Sequence, residues 1–256
     1  MKPLNKLCLI AASVMLLGTG SAMAGPIAAV KANNVVLVHG SWADGSSWSD
    51  VITRLQAAGL HVTAVQNPLT SVADDVAATQ RVLNQQDGPT VLVGHSYAGT
   101  VVSEAGVNPK VSSLVYVAAR APDAGEDFVA LSAKYPTMPV RSGTEEHDGF
   151  ISLKQDAFLN YFASDVPHAR AMELYAVQQP IAKTLFTDRT TVAAWHTKPS
   201  WYAVSSLDQT INPDLERFLA KRMGATTIEL PSSHLSLVSH PKQIADLILE
   251  ASGRQP

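Results

Sequence analysis

Four short apolar runs, each followed by a turn and an amphipathic stretch, recur along the first half of the chain and restrict its fold more than any other feature. The runs are Val35–Val38, His61–Val65, Thr90–Val93 and Val111–Val117. Strands so uniformly apolar, alternating with helices, indicate a parallel sheet covered on both faces. The intervening helices are expected near Trp48–Ala58, over Val72–Gln86 and from Gly99 to Ala105. Gly59 stops the first, and Asp87-Gly88-Pro89 breaks the second. In that second helix Val72, Val76, Val82 and Leu83 are spaced to share a buried face. The rhythm stops at Ala121 and resumes near Pro199, with a strand at Trp201–Val204, a helix at Asp214–Met223, a strand at Thr226–Glu229 and a helix at Gln243–Glu250. Between lie about 80 residues with helix-like patches at Asp156–Phe162 and Ala169–Gln178 and no convincing strand, too many for an ordinary loop. The expected architecture is an α/β sheet with an inserted helical cap at about 121–198.

The N-terminus reads as a cleavable leader. Lys2 and Lys6 precede an apolar run, Leu7–Leu17, and Ala22-Met23-Ala24 matches a small-x-small cleavage site. The apolar run is about half the roughly 20 residues that cross a bilayer, so no stable membrane anchor is expected. Cleavage after Ala24 removes Cys8, the only cysteine, and leaves 232 residues without thiol or disulfide chemistry. A core must hold such a domain together, and this length suffices for one. Removing Lys2 and Lys6 from the 19 basic residues leaves 17 against 22 acidic ones, a charge of −5. With no basic stripe, nucleic acid is not an expected partner. The expected location is secreted, in the periplasm.

The third run ends in "VLVGHSYAGT". Gly94-x-Ser96-x-x-Gly99 between a strand and a helix is close to the Gly-x-Ser-x-Gly elbow, which lifts a serine hydroxyl off the sheet. The second glycine comes one place late, with Ala98 in its usual position. Small residues are needed there because strand and helix converge. The helix N-terminus adds free N–H groups and a partial positive field for a developing oxyanion. A glycine-bearing turn of a doubly wound fold is the plain structural alternative. A phosphate loop is disfavoured, because Gly-x-Gly-x-x-Gly is absent and no Lys-Ser/Thr pair follows. Ser96 is therefore the candidate nucleophile, and His95 beside it is expected to pack or hydrogen-bond rather than act as base.

A serine nucleophile needs a base, and the base an orienting carboxylate, which in this strand–elbow–helix context follow in the order serine, acid, histidine. His39, His61 and His95 precede Ser96, and His147, His168 and His196 fall in the inserted block. Of the remaining two, His234 lies in a loop beyond a strand, whereas His240 precedes Pro241 and a helix, so His234 is favoured as base. Asp208, in the loop after Trp201–Val204, is favoured as the acid over Asp123, and Asp214 reads as a helix-start carboxylate. Tyr97 is expected to give one oxyanion N–H, and the loop "HGSWADGSSW" the other, from Ser41 or Trp42.

From "VVLVHG" to "HPKQIADLIL" the chain resembles the α/β-hydrolase superfamily, and within it the branch of plant methyl-ester esterases, hydroxynitrile lyases and their secreted bacterial homologues. The resemblance rests on "VLVGHSYAG", "LDQTINPDLERFLAKRM" and "ELPSSHLSLVSHP". It implies a triad of Ser96, Asp208 and His234, backbone oxyanion donors at Ser41 and Tyr97, and a cap over the pocket. Lyases of this branch carry a lysine after the catalytic histidine, where this chain has Leu235. They often have threonine where it has Ser41.

The expected activity is carboxylic-ester hydrolysis through an acyl-enzyme. Lyase, lactonase, amidase or cofactor-free peroxidase chemistry at the same site is the alternative, followed by a non-catalytic ligand-binding role. Trp42, Phe128, Phe158 and Trp195 are candidate substrate contacts in an apolar pocket. No His/Cys/Asp cluster has metal-ligand spacing, so neither a metal nor an organic cofactor is expected. The expected partner is a small-molecule ester, and the only protein partner expected is a second copy, in a homodimer.

Overall fold

The computed structural model describes residues 30–255, and the leader expected over residues 1–24 lies outside them. The chain opens with β1 (Asn34–Val38) and a tight turn into α1 (Ser49–Ala57), followed by β2 (His61–Val65), α2 (Val72–Gln85), β3 (Thr90–His95), α3 (Ala98–Ala105) and β4 (Val111–Val117). After the inserted block come β8 (Ser200–Ser205), α7 (Pro213–Arg222), β9 (Thr226–Leu230), α8 (Ser236–Ser239) and α9 (Pro241–Ala251). The six strands form one parallel sheet in the order β2-β1-β3-β4-β8-β9. Every residue of β1, β3 and β8 is buried. Each buried valine or leucine is worth about 1.5–3 kcal/mol over leaving it in water, so these strands are stable only between two helical layers. Helices α1 and α9 pack together on one side, and α2 packs with α3 on the other.

The path from β1 runs outward to β2 and then back across to β3. The crevice between the carboxyl ends of β1 and β3 is therefore where the strand order reverses, and parallel sheets bind ligands at such points. The loops that follow these two strands carry Ser41 and Ser96.

Two expectations need correction. On α2 the buried residues are Val72, Asp75, Ala78, Thr79 and Leu83, while Val76 and Val82 are only partly covered. The helix turns an acid toward the core because that acid has partners there. The inserted block is also not purely helical. It has α4 (Phe128–Ser132), α5 (Gln155–Ala157) running into a wider turn over Phe158–Phe162, and α6 (His168–Ala176). It also contains a three-stranded antiparallel sheet of β5 (Thr144–His147), β6 (Phe150–Leu153) and β7 (Ile181–Ala182). β5 and β6 are joined by Asp148-Gly149, both at positive φ (51° and 81°), the two-residue turn whose twist suits a hairpin. β5 is polar and mostly exposed, so no apolar alternation announces it. The sheet is tied to the main domain by Trp42, whose Nε1–H donates to the Ile151 carbonyl oxygen at 3.0 Å.

Candidate active site

Ser96 sits at φ 56°, a left-handed conformation that costs a non-glycine residue about 1–2 kcal/mol. Hydrogen bonds hold it there: its N–H donates to Val117 O at 3.1 Å, and its carbonyl oxygen accepts from Gly99 N–H at 3.1 Å and Arg120 N–H at 3.0 Å. The surrounding glycines are required by space. A Cβ on Gly94 would lie 2.6 Å from Val102 Cγ2 and 2.8 Å from Ala98 O. One on Gly99 would lie 1.8 Å from Arg120 O, and one on Gly40 would lie 2.7 Å from Ser96 Cβ. The late glycine of the motif thus answers to the backbone of residue 120, while position 98 has room for a methyl group.

Ser96 Oγ–H donates to His234 Nε2 at 2.7 Å, and His234 Nδ1–H donates to Asp208 Oδ2 at 2.5 Å. The other Asp208 oxygen accepts from Thr210 N–H at 2.6 Å and Ile211 N–H at 3.1 Å. The carboxylate is therefore anchored at one end and aimed at the ring by the other. Ser96 is 5% exposed, Asp208 2% and His234 not at all. Residues 112 and 26 positions away in sequence thus meet in one hydrogen-bonded line. The rival acid Asp123 lies elsewhere, pairing with His196 at 2.9 Å on the surface. Asp214 stands in the first turn of α7, and His240 precedes α9, as their sequence positions suggest.

Several supporting groups escaped the sequence reading. Glu216 on α7 is fully buried and accepts from Ser205 N–H at 3.0 Å. Burial, then the neighbouring Asp208 charge, push its carboxyl well above the usual carboxylate range. Its signal was its place on the apolar face with Leu219 and Ala220, three and four residues on. Asp165, from the inserted block, receives Ser233 N–H at 3.0 Å and the Ser233 hydroxyl, fixing the loop that carries His234. His95, by contrast, takes the packing and hydrogen-bonding place expected of it: its Nε2–H donates to the His234 carbonyl oxygen at 3.0 Å, and its ring lies 4.7 Å from the His234 ring. Burial, and then His234 beside it, push His95 well below the usual histidine range. Asp75 accepts from Leu69 N–H and from the Tyr97 hydroxyl, both at 2.8 Å, which pins the residue after the nucleophile. Burial raises its carboxyl to about 6.

A cavity of about 220 Å³ opens onto Ser96. Ser41 and Tyr97 line it, and among the described residues neither backbone N–H has an acceptor. Of the expected substrate contacts, Trp42 and Phe128 line the cavity. Phe158 and Trp195 do not. Phe158 is buried behind the site against Phe162 and Tyr175, because the turn it occupies faces the core of the inserted block. Trp195 donates its Nε1–H to Pro122 O at 3.0 Å and lies against His196 and Arg222. Both are aromatic residues used for packing. Phe186, unmentioned by the sequence reading, takes part in the lining.

The profile of the Alpha/beta hydrolase family matches residues 35–247. A carbendazim-hydrolyzing esterase from Nocardioides sp. (strain SG-4G) is 28% identical over 170 residues, which is 60% of this chain and 62% of that protein, so the likeness spans under two thirds of the relative. The crystal structure of polyneuridine aldehyde esterase superposes with a TM-score of 0.75 at 18% identity, covering 87% of this chain and all of that one. A methylesterase from Arabidopsis, MES16, gives 0.72 at 20% identity, covering 87% and 99%. At these identities the structural matches speak for the fold.

Proposed function

The chain belongs to the alpha/beta hydrolase family, and from that premise we propose that it hydrolyses small carboxylic esters through an acyl-enzyme formed on Ser96. The observation that carries this reading is the unbroken line Ser96–His234–Asp208 at 2.7 and 2.5 Å beside two N–H groups that have no acceptor among the described residues. His234 Nε2 takes the Ser96 proton as Oγ attacks the ester carbonyl carbon. The carbonyl oxygen, now negative, accepts from the Ser41 and Tyr97 N–H groups. Asp208 stabilises the imidazolium and holds its tautomer. Collapse expels the alcohol, which takes the proton from Nε2, and water then attacks the acyl carbon by the same route in reverse. A cavity of about 220 Å³ lies below the roughly 300–1,000 Å³ common for drug-sized ligands, which favours a short acyl or alcohol group. The leader expected at the N-terminus supports a periplasmic location for this activity. Lyase chemistry is disfavoured because Leu235, directly after the base, is apolar and buried.

The test is covalent labelling by a fluorophosphonate, with turnover of a short aryl ester measured in parallel. Wild type should label on Ser96, and Ser96→Ala should lose labelling and about 10⁴–10⁶ in kcat. Near-normal turnover in Ser96→Ala would defeat the proposal.

A further inference from the structure

The cavity wall holds a cation that the hydrolytic steps leave unused. Arg120 follows β4, and its backbone N–H is hydrogen-bonded to the Ser96 carbonyl oxygen, so its side chain starts beside the nucleophile. The guanidinium lies over the rings of Tyr97, Phe128 and Phe186, with centroids at 5.8, 5.3 and 5.4 Å. Such contacts satisfy the flat faces of the ion and leave its edge, with five N–H donors, in need of acceptors. Among the described residues one donor is used, Nη1–H to Leu185 O at 3.3 Å, and no carboxylate pairs with the ion. Its remaining nitrogens are not sealed in the core, unlike Arg222 Nε and Arg254 Nε. They belong to a side chain that lines the cavity.

The lining as a whole has the same bias. Among the described residues it contains Arg120 and Arg141 and no aspartate or glutamate, in a protein whose net charge is −3. Burial, with Arg141 adding its repulsion, draws the Arg120 guanidinium down to about 10, so it is charged at neutral pH. A cation in a confined wall, facing a second cation, is costly unless an anion arrives to pair with it.

We propose that this cavity selects esters carrying a carboxylate some distance from the scissile bond, bound by the free N–H edge of Arg120 with Arg141 adding positive field. This rests on the hydrolase reading above, but its test separates the two. Two matched pairs place the carboxylate on either side of the ester: monomethyl adipate against methyl heptanoate, and 4-carboxyphenyl acetate against 4-carbamoylphenyl acetate. In wild type the anionic member of at least one pair should have the higher kcat/KM, by about tenfold or more. A charge-assisted contact of this kind is expected to change that ratio by roughly ten- to a hundredfold on Arg120→Gln. Taking the ratio cancels any general loss of activity. Arg141→Gln should give a smaller fall.

Independently of turnover, adipate should bind the Ser96→Ala protein by calorimetry and compete with a neutral ester in wild type. Preference for the neutral member in both pairs, an unchanged ratio in Arg120→Gln, or no competition by adipate at millimolar concentration would each overturn the proposal. Failure of the hydrolase reading has a different signature, with neither kind of ester turned over and no fluorophosphonate label, while adipate binding remains measurable.

Discussion

Replacing Asp208 by asparagine tests the catalytic line at the member least constrained by sequence. The substitution is nearly isosteric, and the site dictates how the new amide must lie. Thr210 and Ile211 direct two N–H donors at Oδ1, at 2.6 and 3.1 Å. An amide NH₂ cannot face two donors, so the asparagine oxygen takes that position and its NH₂ points at His234 Nδ1. That nitrogen must then accept, which moves the ring proton to Nε2 and presents a donor to Ser96 Oγ in place of a base. A wrong tautomer of this sort costs about 10⁴ in kcat, or about 5 kcal/mol of transition-state stabilisation. Initial rates of 4-nitrophenyl acetate hydrolysis measure the loss, and thermal melting checks that the fold survives. Asp123→Asn is the control, because Asp123 pairs with His196 on the surface, and its rate should stay within about twofold of wild type. A loss under about a hundredfold in an otherwise intact Asp208→Asn, or an equal loss in Asp123→Asn, would refute the assignment.

Glu216→Gln tests whether the acid behind Asp208 has a raised pKa. Because its folded pKa is raised, its contribution to stability is full below the unfolded carboxylate pKa and is lost as pH rises toward the folded value. Glutamine does not titrate, so the melting temperature of Glu216→Gln relative to wild type should rise between pH 4.5 and pH 8, and a fall would contradict the raised pKa. Glu216→Leu also strips the acceptor from Ser205 N–H and should cost about 1–3 kcal/mol in urea denaturation. Two glycines separate crowding from backbone strain. Gly99→Ala puts a Cβ 1.8 Å from a backbone oxygen and should reach or exceed the upper end of the roughly 1–3 kcal/mol typical of overpacking. Gly149→Ala meets nothing within 4 Å, so only its φ of 81° is strained, and a loss of about 1–2 kcal/mol is expected. Equal losses at the two positions would remove the steric account of the motif.

The parallel sheet was legible because strands buried on both faces have no polar alternation to confuse the reading. β2 and β4 have the expected limits, and β3 runs two residues further, to His95, to place Ser96 at its end. The sites of Ser96 and His234 were legible for the same reason, since a parallel sheet offers only one edge for its functional loops. The hairpin of the inserted block carries its signal in the turn, Asp148-Gly149, and not in apolar periodicity, because β5 is polar and is stabilised by its turn and its ladder. The pocket was only half legible. An aromatic residue packs as well behind a site as within it, and nothing local distinguishes Phe128 from Phe158.

Burial of charge separates the remaining cases. Asp75 and Glu216 sit at helix positions where the period demands an apolar residue, and each gives one oxygen to a backbone N–H of a loop or strand end that shapes the site, Leu69 and Ser205. They are costly to bury, and those hydrogen bonds offset the cost. Such an acid marks a point where the fold holds a backbone segment in place, so reading charge against the helical period would have located both. Arg120 follows the opposite logic. It lies in the loop that follows β4, most of its donors have no acceptor among the described residues, and its like-charged neighbour Arg141 makes the deficit worse. A buried acid that holds a backbone N–H supports the structure around it, whereas a cation left short of partners at a cavity wall is chemically complete only when something enters the cavity.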